Sequence, residues 1–231
     1  HIITDGVSSR ILEKDFNALY KGEELPPLRL QYKDYSEWQE NLFKSGEINK
    51  QEEYWLNRFK GEIPVLDLET DYPRSAVRDT EGETIAFPIA VESLERLNQM
   101  KLTYDVTTYM ILFAVCNILL SKYSGQTDII VNTPTVGRNH VDLYRIIGFF
   151  INVLIMRNFT DGEKSFEEFL NEVKNNTLQG FDNQDYPFDK LVDELKVQRN
   201  PGRSPVFDIL LVYQDFGTPG LKSPLPSLEL E

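Results

Sequence analysis

His1 and Asp5 stand four residues apart, and Gly6 follows at once, in the run His1-Ile2-Ile3-Thr4-Asp5-Gly6. An imidazole titrates near neutrality and can take up or release a proton at cellular pH. A carboxylate close by can act as an acid beside it. It can equally be structural, because the start of a helix favours negative charge. Gly6 permits a sharp turn, or a close approach to the backbone that a Cβ would obstruct. Ile2 and Ile3 suit the end of a buried strand, and Val7-Ser8-Ser9 opens a helical pattern. A histidine on a strand end, beside a turn into a helix, is placed to meet a substrate. Taken alone the pattern is weak, since an expression tag or a surface histidine gives the same first residue.

The elements that must position this stretch follow from periodicity. Residues 8–21 predict a helix with Ile11, Leu12, Phe16, Leu19 and Tyr20 on one face and Gly22 beyond its end. A second helix begins at Tyr32, and a third spans about 47–60 with Tyr54, Trp55 and Phe59 as packing residues. Residues 61–80 lack periodicity, carry Pro64 and Pro73, and read as a linker between units. Residues 83–89 predict a strand, and 93–101 a short helix with Leu94 and Leu97 inward. Residues 107–123 predict a helix apolar on nearly all sides, which belongs inside a domain. Residues 128–133 and 146–156 read as buried strands, with a turn at Thr135-Val136-Gly137-Arg138 between them. Ser165 with Glu168 forms a capping box, and Phe166, Phe169, Leu170 and Val173 make the apolar face behind it. Pro187 opens another helix through Leu191 and Leu195. A strand over 206–213 and an irregular end from Gly217 complete the chain. Helices and strands alternate without a strict βαβ rhythm, which argues for a mixed α/β layer fold.

Composition narrows the function. The net charge of −13 suggests no phosphate-binding surface, so nucleic acid is not an expected partner. No uninterrupted apolar stretch is long enough to span a bilayer, and no membrane partner is expected. The single cysteine, Cys116, allows no disulfide within the chain and fits a reducing, cytoplasmic setting; it reads as a small core residue. With only His1 and His140 besides, no metal site is expected, and His140 sits among exposed loop residues. Neither a glycine-rich phosphate loop nor a G-x-S-x-G run is present.

Five segments in order resemble one family, the condensation domains of nonribosomal peptide synthetases. His1-Ile2-Ile3-Thr4-Asp5-Gly6 is similar to the last six residues of the HHxxxDG motif, and Val7-Ser8 is a usual continuation. Tyr32-Lys33-Asp34-Tyr35-Ser36-Glu37-Trp38-Gln39 resembles YxDYAxWQ. Gly137-Arg138, Asp142-Leu143 and Ile147-Gly148-Phe149-Phe150-Ile151-Asn152 resemble GR…DL…IGxFVNT. Asn183-Gln184-Asp185-Tyr186-Pro187-Phe188 resembles NQDYPFE. Arg199-Asn200-Pro201, followed by Arg203-Ser204-Pro205 and Phe207, resembles the RNPL region.

The resemblance implies a fold like chloramphenicol acetyltransferase, with two lobes around a channel. Residues 1–60 would be the end of the N-terminal lobe, 61–80 the interlobe linker and 81–231 a truncated C-terminal lobe. The first histidine of the tandem pair and the upstream half of the first lobe are expected to precede residue 1. The chain thus resembles an internal piece of a larger synthetase domain, and the piece alone is expected to be inactive.

The implied reaction is amide bond formation between two aminoacyl or peptidyl thioesters held on carrier domains. His1, Asp5 and Gly6 would form the catalytic stretch. His1 would take the amine proton or position the amine, and Gly6 would let a thioester arm approach. For Asp5 the resemblance favours pairing with an arginine, with Arg138, Arg199 and Arg203 as the choices here. Asn152 and Gln184, polar among apolar neighbours, either line the channel or are satisfied buried amides. Arg138, Gly148, Arg199 and Arg203 are expected as structural motif residues. No cofactor is expected on this chain, because the phosphopantetheine arms belong to partner carrier domains. Upstream and downstream carrier domains and an adjoining adenylation domain are the expected partners. An epimerization domain shares HHxxxDG and is the nearest alternative, whereas His1 argues against a heterocyclization domain. A non-catalytic docking module that only binds carrier domains is the alternative from another class.

Overall fold

The computed structural model describes residues 2–72, 81–197, 206 and 208–214. His1, Arg199 and Arg203 lie outside them, as do Phe207 and the expected irregular end.

Helix α1 (Gly6–Tyr20) starts at an Asp5 cap whose Oδ1 accepts from the Ser8 amide at 2.7 Å. Helix α2 (Tyr32–Ser45) opens with the Gln31 amide donating to Asp34 Oδ2 at 2.7 Å, and ends at Gly46 in the left-handed region. Helices α3 (Asn49–Arg58) and α4 (Val91–Tyr104) follow. In α5 (Thr108–Ser124) the Thr107 hydroxyl accepts from the Met110 amide, and Gly125 closes the helix at φ 70°. Strand β1 (Asp128–Thr135) pairs antiparallel with β2 (Asn152–Phe159), placing Val131 opposite Met156. A short 3-10 turn at Val141–Arg145 lies between them. Helix α6 (Phe166–Asp182) has the Ser165–Glu168 capping box, and α7 (Phe188–Glu194) follows Pro187.

One core holds these elements together. Ile111 and Phe113 of α5, Ile129 and Val131 of β1, Ile155 of β2, and Leu170 and Val173 of α6 are buried in it. Ile48, Trp55, Phe59 and Leu66 belong to the same cluster. Helix α3 therefore shares a core with elements beyond residue 81. Two polar links reinforce this packing. Trp55 Nε1 donates to Asn183 O at 2.8 Å, and Arg157 bridges Asp128 at 2.6 Å while donating to Glu62 O at 2.8 Å. A smaller cluster of Leu143, Ile146 and Phe150, with Leu30 and Tyr35 against it, sits apart.

Several expectations need correction. Residues 2–4 form no strand, and Ile2 and Ile3 are exposed, because no neighbouring strand among the described residues pairs with them. Residues 83–89 are not a strand for the same reason, and Ile85 and Phe87 are exposed. Leu94 is half-exposed; Leu97 and Met100 carry the inward face of α4. Helix α5 is not buried all round, since Val115, Leu119 and Tyr123 form an exposed face. The second strand begins at Asn152 and not at Ile146, because side chains from distant elements hold residues 148–150. Residues 209–211 make only an isolated parallel bridge to β1.

Candidate functional site

The cap of α1 is the centre of a buried polar knot. Asp5 is 1% exposed. Its Oδ2 accepts from the Phe150 amide at 3.1 Å, and its two oxygens lie 3.3 and 3.4 Å from Arg138 Nη2. One carboxylate thus caps a helix, fixes a distant loop and faces a guanidinium. Burial alone would raise the Asp5 pKa. The contacts from Ser8, the Phe150 amide and the Arg138 charge outweigh it and hold the carboxyl below its ordinary range.

Arg138 is placed by the turn before it. Gly137 has φ +65°, and a Cβ there would fall 1.8 Å from Phe150 O. Only glycine fits this close crossing. Arg138 Nη1 then donates to the carbonyls of Leu143 and, at 2.8 Å, of Ile146. The guanidinium carbon lies 4.1 Å over the Phe150 ring, a cation–π contact inside the smaller cluster. Of the three arginines the sequence offers to Asp5, Arg138 is the partner among the described residues.

Ser8, which carried no role in the sequence reading, completes the knot. It is fully buried. Its hydroxyl donates to Gly148 O at 2.7 Å and accepts from the Gly148 amide at 3.0 Å and from Arg138 Nη2 at 2.7 Å. A signal was available: Ser8 precedes Ile11 and Leu12 by three and four positions, so a small hydroxyl interrupts an apolar helix face. Tyr32 adds a further tie, its hydroxyl donating to Phe149 O at 2.6 Å. Its ring passes so close to Gly148 that a Cβ there would sit 2.1 Å from Tyr32 Cδ2.

A cleft of about 300 Å³ opens beside the knot, walled by Tyr32, Tyr35, Phe150, Asn152, Gln184 and Asp185 among others. Asn152 and Gln184 both line it, but the Asn152 amide is fully engaged. Its Nδ2 donates to the carbonyls of Gln184 and Tyr186, and its Oδ1 accepts from the Val153 and Phe188 amides. Gln184 Oε1 accepts from the Thr135 hydroxyl. Burial first, and then the Asp185 charge, push the Tyr35 hydroxyl up to about 12, so it stays a protonated donor at neutral pH. Gly6 is exposed, with ordinary helical backbone and no atom within 4 Å of an added Cβ, so it is not the sharp turn expected. His140 is exposed too and caps the 3-10 turn, its Nδ1 accepting from the Asp142 amide at 3.2 Å.

A family model described as the condensation domain matches residues 1–223. The chain belongs to the condensation-domain family. Bacitracin synthase 1 of Bacillus licheniformis is 47% identical over 99% of this chain, and tyrocidine synthase 3 of Brevibacillus parabrevis is 51% identical over 93%. The chain spans only 4% and 3% of the length of those relatives. Among solved structures, the X-domain from teicoplanin biosynthesis superposes with a TM-score of 0.80 at 24% identity, over 90% of this chain and 49% of that one. The first condensation domain of the CDA synthetase gives 0.70 at 18%, over 94% and 48%. The expected mixed α/β fold and family are thereby shown. Condensation domains are acyltransferase-type, and these relatives are a bacitracin and a tyrocidine synthase. Among the described residues, no single helix is long and apolar enough to cross a membrane.

Proposed function

We propose that this chain supplies part of a site that joins two carrier-bound aminoacyl or peptidyl thioesters by an amide bond. The observation that carries the reading is the engagement of Asp5. Its carboxylate is buried, paired with Arg138 and bonded to two backbone amides. It is a positioning residue, and the proton work of the His1–Gly6 stretch falls to His1.

In this reading the acceptor amine attacks the donor thioester carbonyl. The N–C bond forms and the C–S bond breaks. His1 takes the amine proton as the bond forms, and the proton leaves with the donor thiolate. Acid–base assistance of this kind contributes ~10²–10⁴-fold, and holding two tethered reactants together contributes as well. The thioesters arrive on phosphopantetheine arms of upstream and downstream carrier domains, with an adenylation domain adjoining. The Tyr32–Gln39 and Gln184–Phe188 segments favour condensation over epimerization.

The test uses the natural full-length protein that contains this chain, offered one donor-loaded and one acceptor-loaded carrier. A dipeptidyl thioester on the acceptor carrier supports the reading. Inversion of a loaded amino acid without a new bond points to epimerization. Carrier binding with neither product points to a docking module.

A further inference from the structure

Residues 148–150 form no helix or ladder, yet each is held by a distant side chain, two from the start of α1 and one from the start of α2. Ser8 of α1 bonds both the amide and the carbonyl of Gly148. Tyr32, the first residue of α2, bonds the Phe149 carbonyl at 2.6 Å. Asp5 accepts from the Phe150 amide at 3.1 Å. Phe149 and Phe150 then wall the cleft. The segment is a strap that joins Asp5, at the start of α1, on one side to the cleft on the other.

Ser8 is the fastening of that strap. A serine hydroxyl offers one donor and two acceptor sites, and here all three are in use outside its own helix. Helix capping does not account for this, because the cap uses only the Ser8 amide. We propose that Ser8, and with it Tyr32, are positioning residues of the site. By fixing residues 148–150 against Asp5 and Arg138, they set the cleft wall in register with the reacting stretch. The proposal rests on the amide-bond reading above and adds residues to it.

A misplacement of about 1 Å can cost on the order of 10² in rate when geometry carries the catalysis. In the natural full-length protein, Ser8→Ala should lower kcat for dipeptide formation by about tenfold to a hundredfold, with KM for the acceptor carrier unchanged. Ser8→Thr keeps the hydroxyl and should restore most of the rate. Rates are taken per folded molecule, well below the melting point, so lost fold does not mimic lost rate. Tyr32→Phe is the second variant, because it removes only an exposed hydroxyl bond and folds even if Ser8→Ala does not. It should also lower kcat without moving KM. A parent-like kcat in both variants overturns the proposal.

Amide hydrogen exchange at Gly148 and Phe150 separates this outcome from failure of the amide-bond reading. If no variant or parent forms dipeptide, that reading falls while exchange still decides the strap. Protection at Gly148 and Phe150 lost in Ser8→Ala and kept in Ser8→Thr supports it. Protection retained in Ser8→Ala overturns it.

Discussion

Arg138 Nη2 lies 3.3 Å from Asp5 Oδ1, and both side chains are fully buried. Breaking a buried pair by removing one partner costs roughly 3–5 kcal/mol, because the other charge is left uncompensated. Asp5→Asn should therefore lower the melting temperature as well as the activity. Its pH behaviour gives a second reading. The Asp5 pKa is lowered below 3.8 in the folded protein, so its contribution to stability is complete above that value. That contribution is lost as pH falls through the lower folded-state value. Acid unfolding curves of the parent should show this loss, and those of Asp5→Asn should lack it. A fully stable but inactive Asp5→Asn protein would return Asp5 to a direct role in the chemistry.

Gly148 has no room for a side chain. A Cβ there would lie 2.1 Å from Tyr32 Cδ2 and 2.6 Å from Cε2. Gly148→Ala must push the ring away from its edge-on contact with Phe150, 5.1 Å between centroids. Overpacking of this kind costs typically ~1–3 kcal/mol. Chemical denaturation should show a lower midpoint with an unchanged slope. A midpoint equal to the parent's would mean that the α2 start does not press on the strap.

Trp55 tests whether α3 belongs to the shared core. It is 2% exposed, meets Gly180 of α6 and donates to Asn183 O. Trp55→Ala should cost roughly 3–5 kcal/mol. Trp55→Phe, which keeps most of the ring but loses the hydrogen bond, should cost less. Equal, small losses in both would place α3 outside the core.

The helices were legible because their signals are local. The Ser165–Glu168 box, the glycine after Ser124 and the proline before Phe188 mark ends that the backbone follows. The arginine partnership of Asp5 was legible as a need, and the structure chose Arg138 by bringing the Gly137 turn against Phe150. The misread strands share one cause. Alternation at Ile85 and Phe87 shows β preference but not a partner, and pairing depends on distant segments. Residues 146–151 are apolar enough for a strand, yet Ser8, Tyr32 and Asp5 take their backbone groups. The hydroxyl of Ser8 on the apolar side of α1 marks a polar group in need of partners, but those partners lie up to 140 positions away, where no local pattern names them.

His1 carries the chemistry in the proposed reaction. In the natural full-length protein, His1→Ala should lower dipeptide formation by ~10²–10⁴-fold. Carrier binding and melting temperature should stay near those of the parent. Near-normal turnover with slow, non-activated amines would reduce His1 to a scaffold residue.

The most direct test is the intact mass of the acceptor carrier after incubation with the natural full-length protein and a loaded donor carrier. The account predicts a mass gain equal to the donor acyl group, seen with the parent and formed ~10²–10⁴-fold more slowly in His1→Ala. An acceptor carrier of unchanged mass, with the loaded amino acid inverted at its α-carbon, would contradict it.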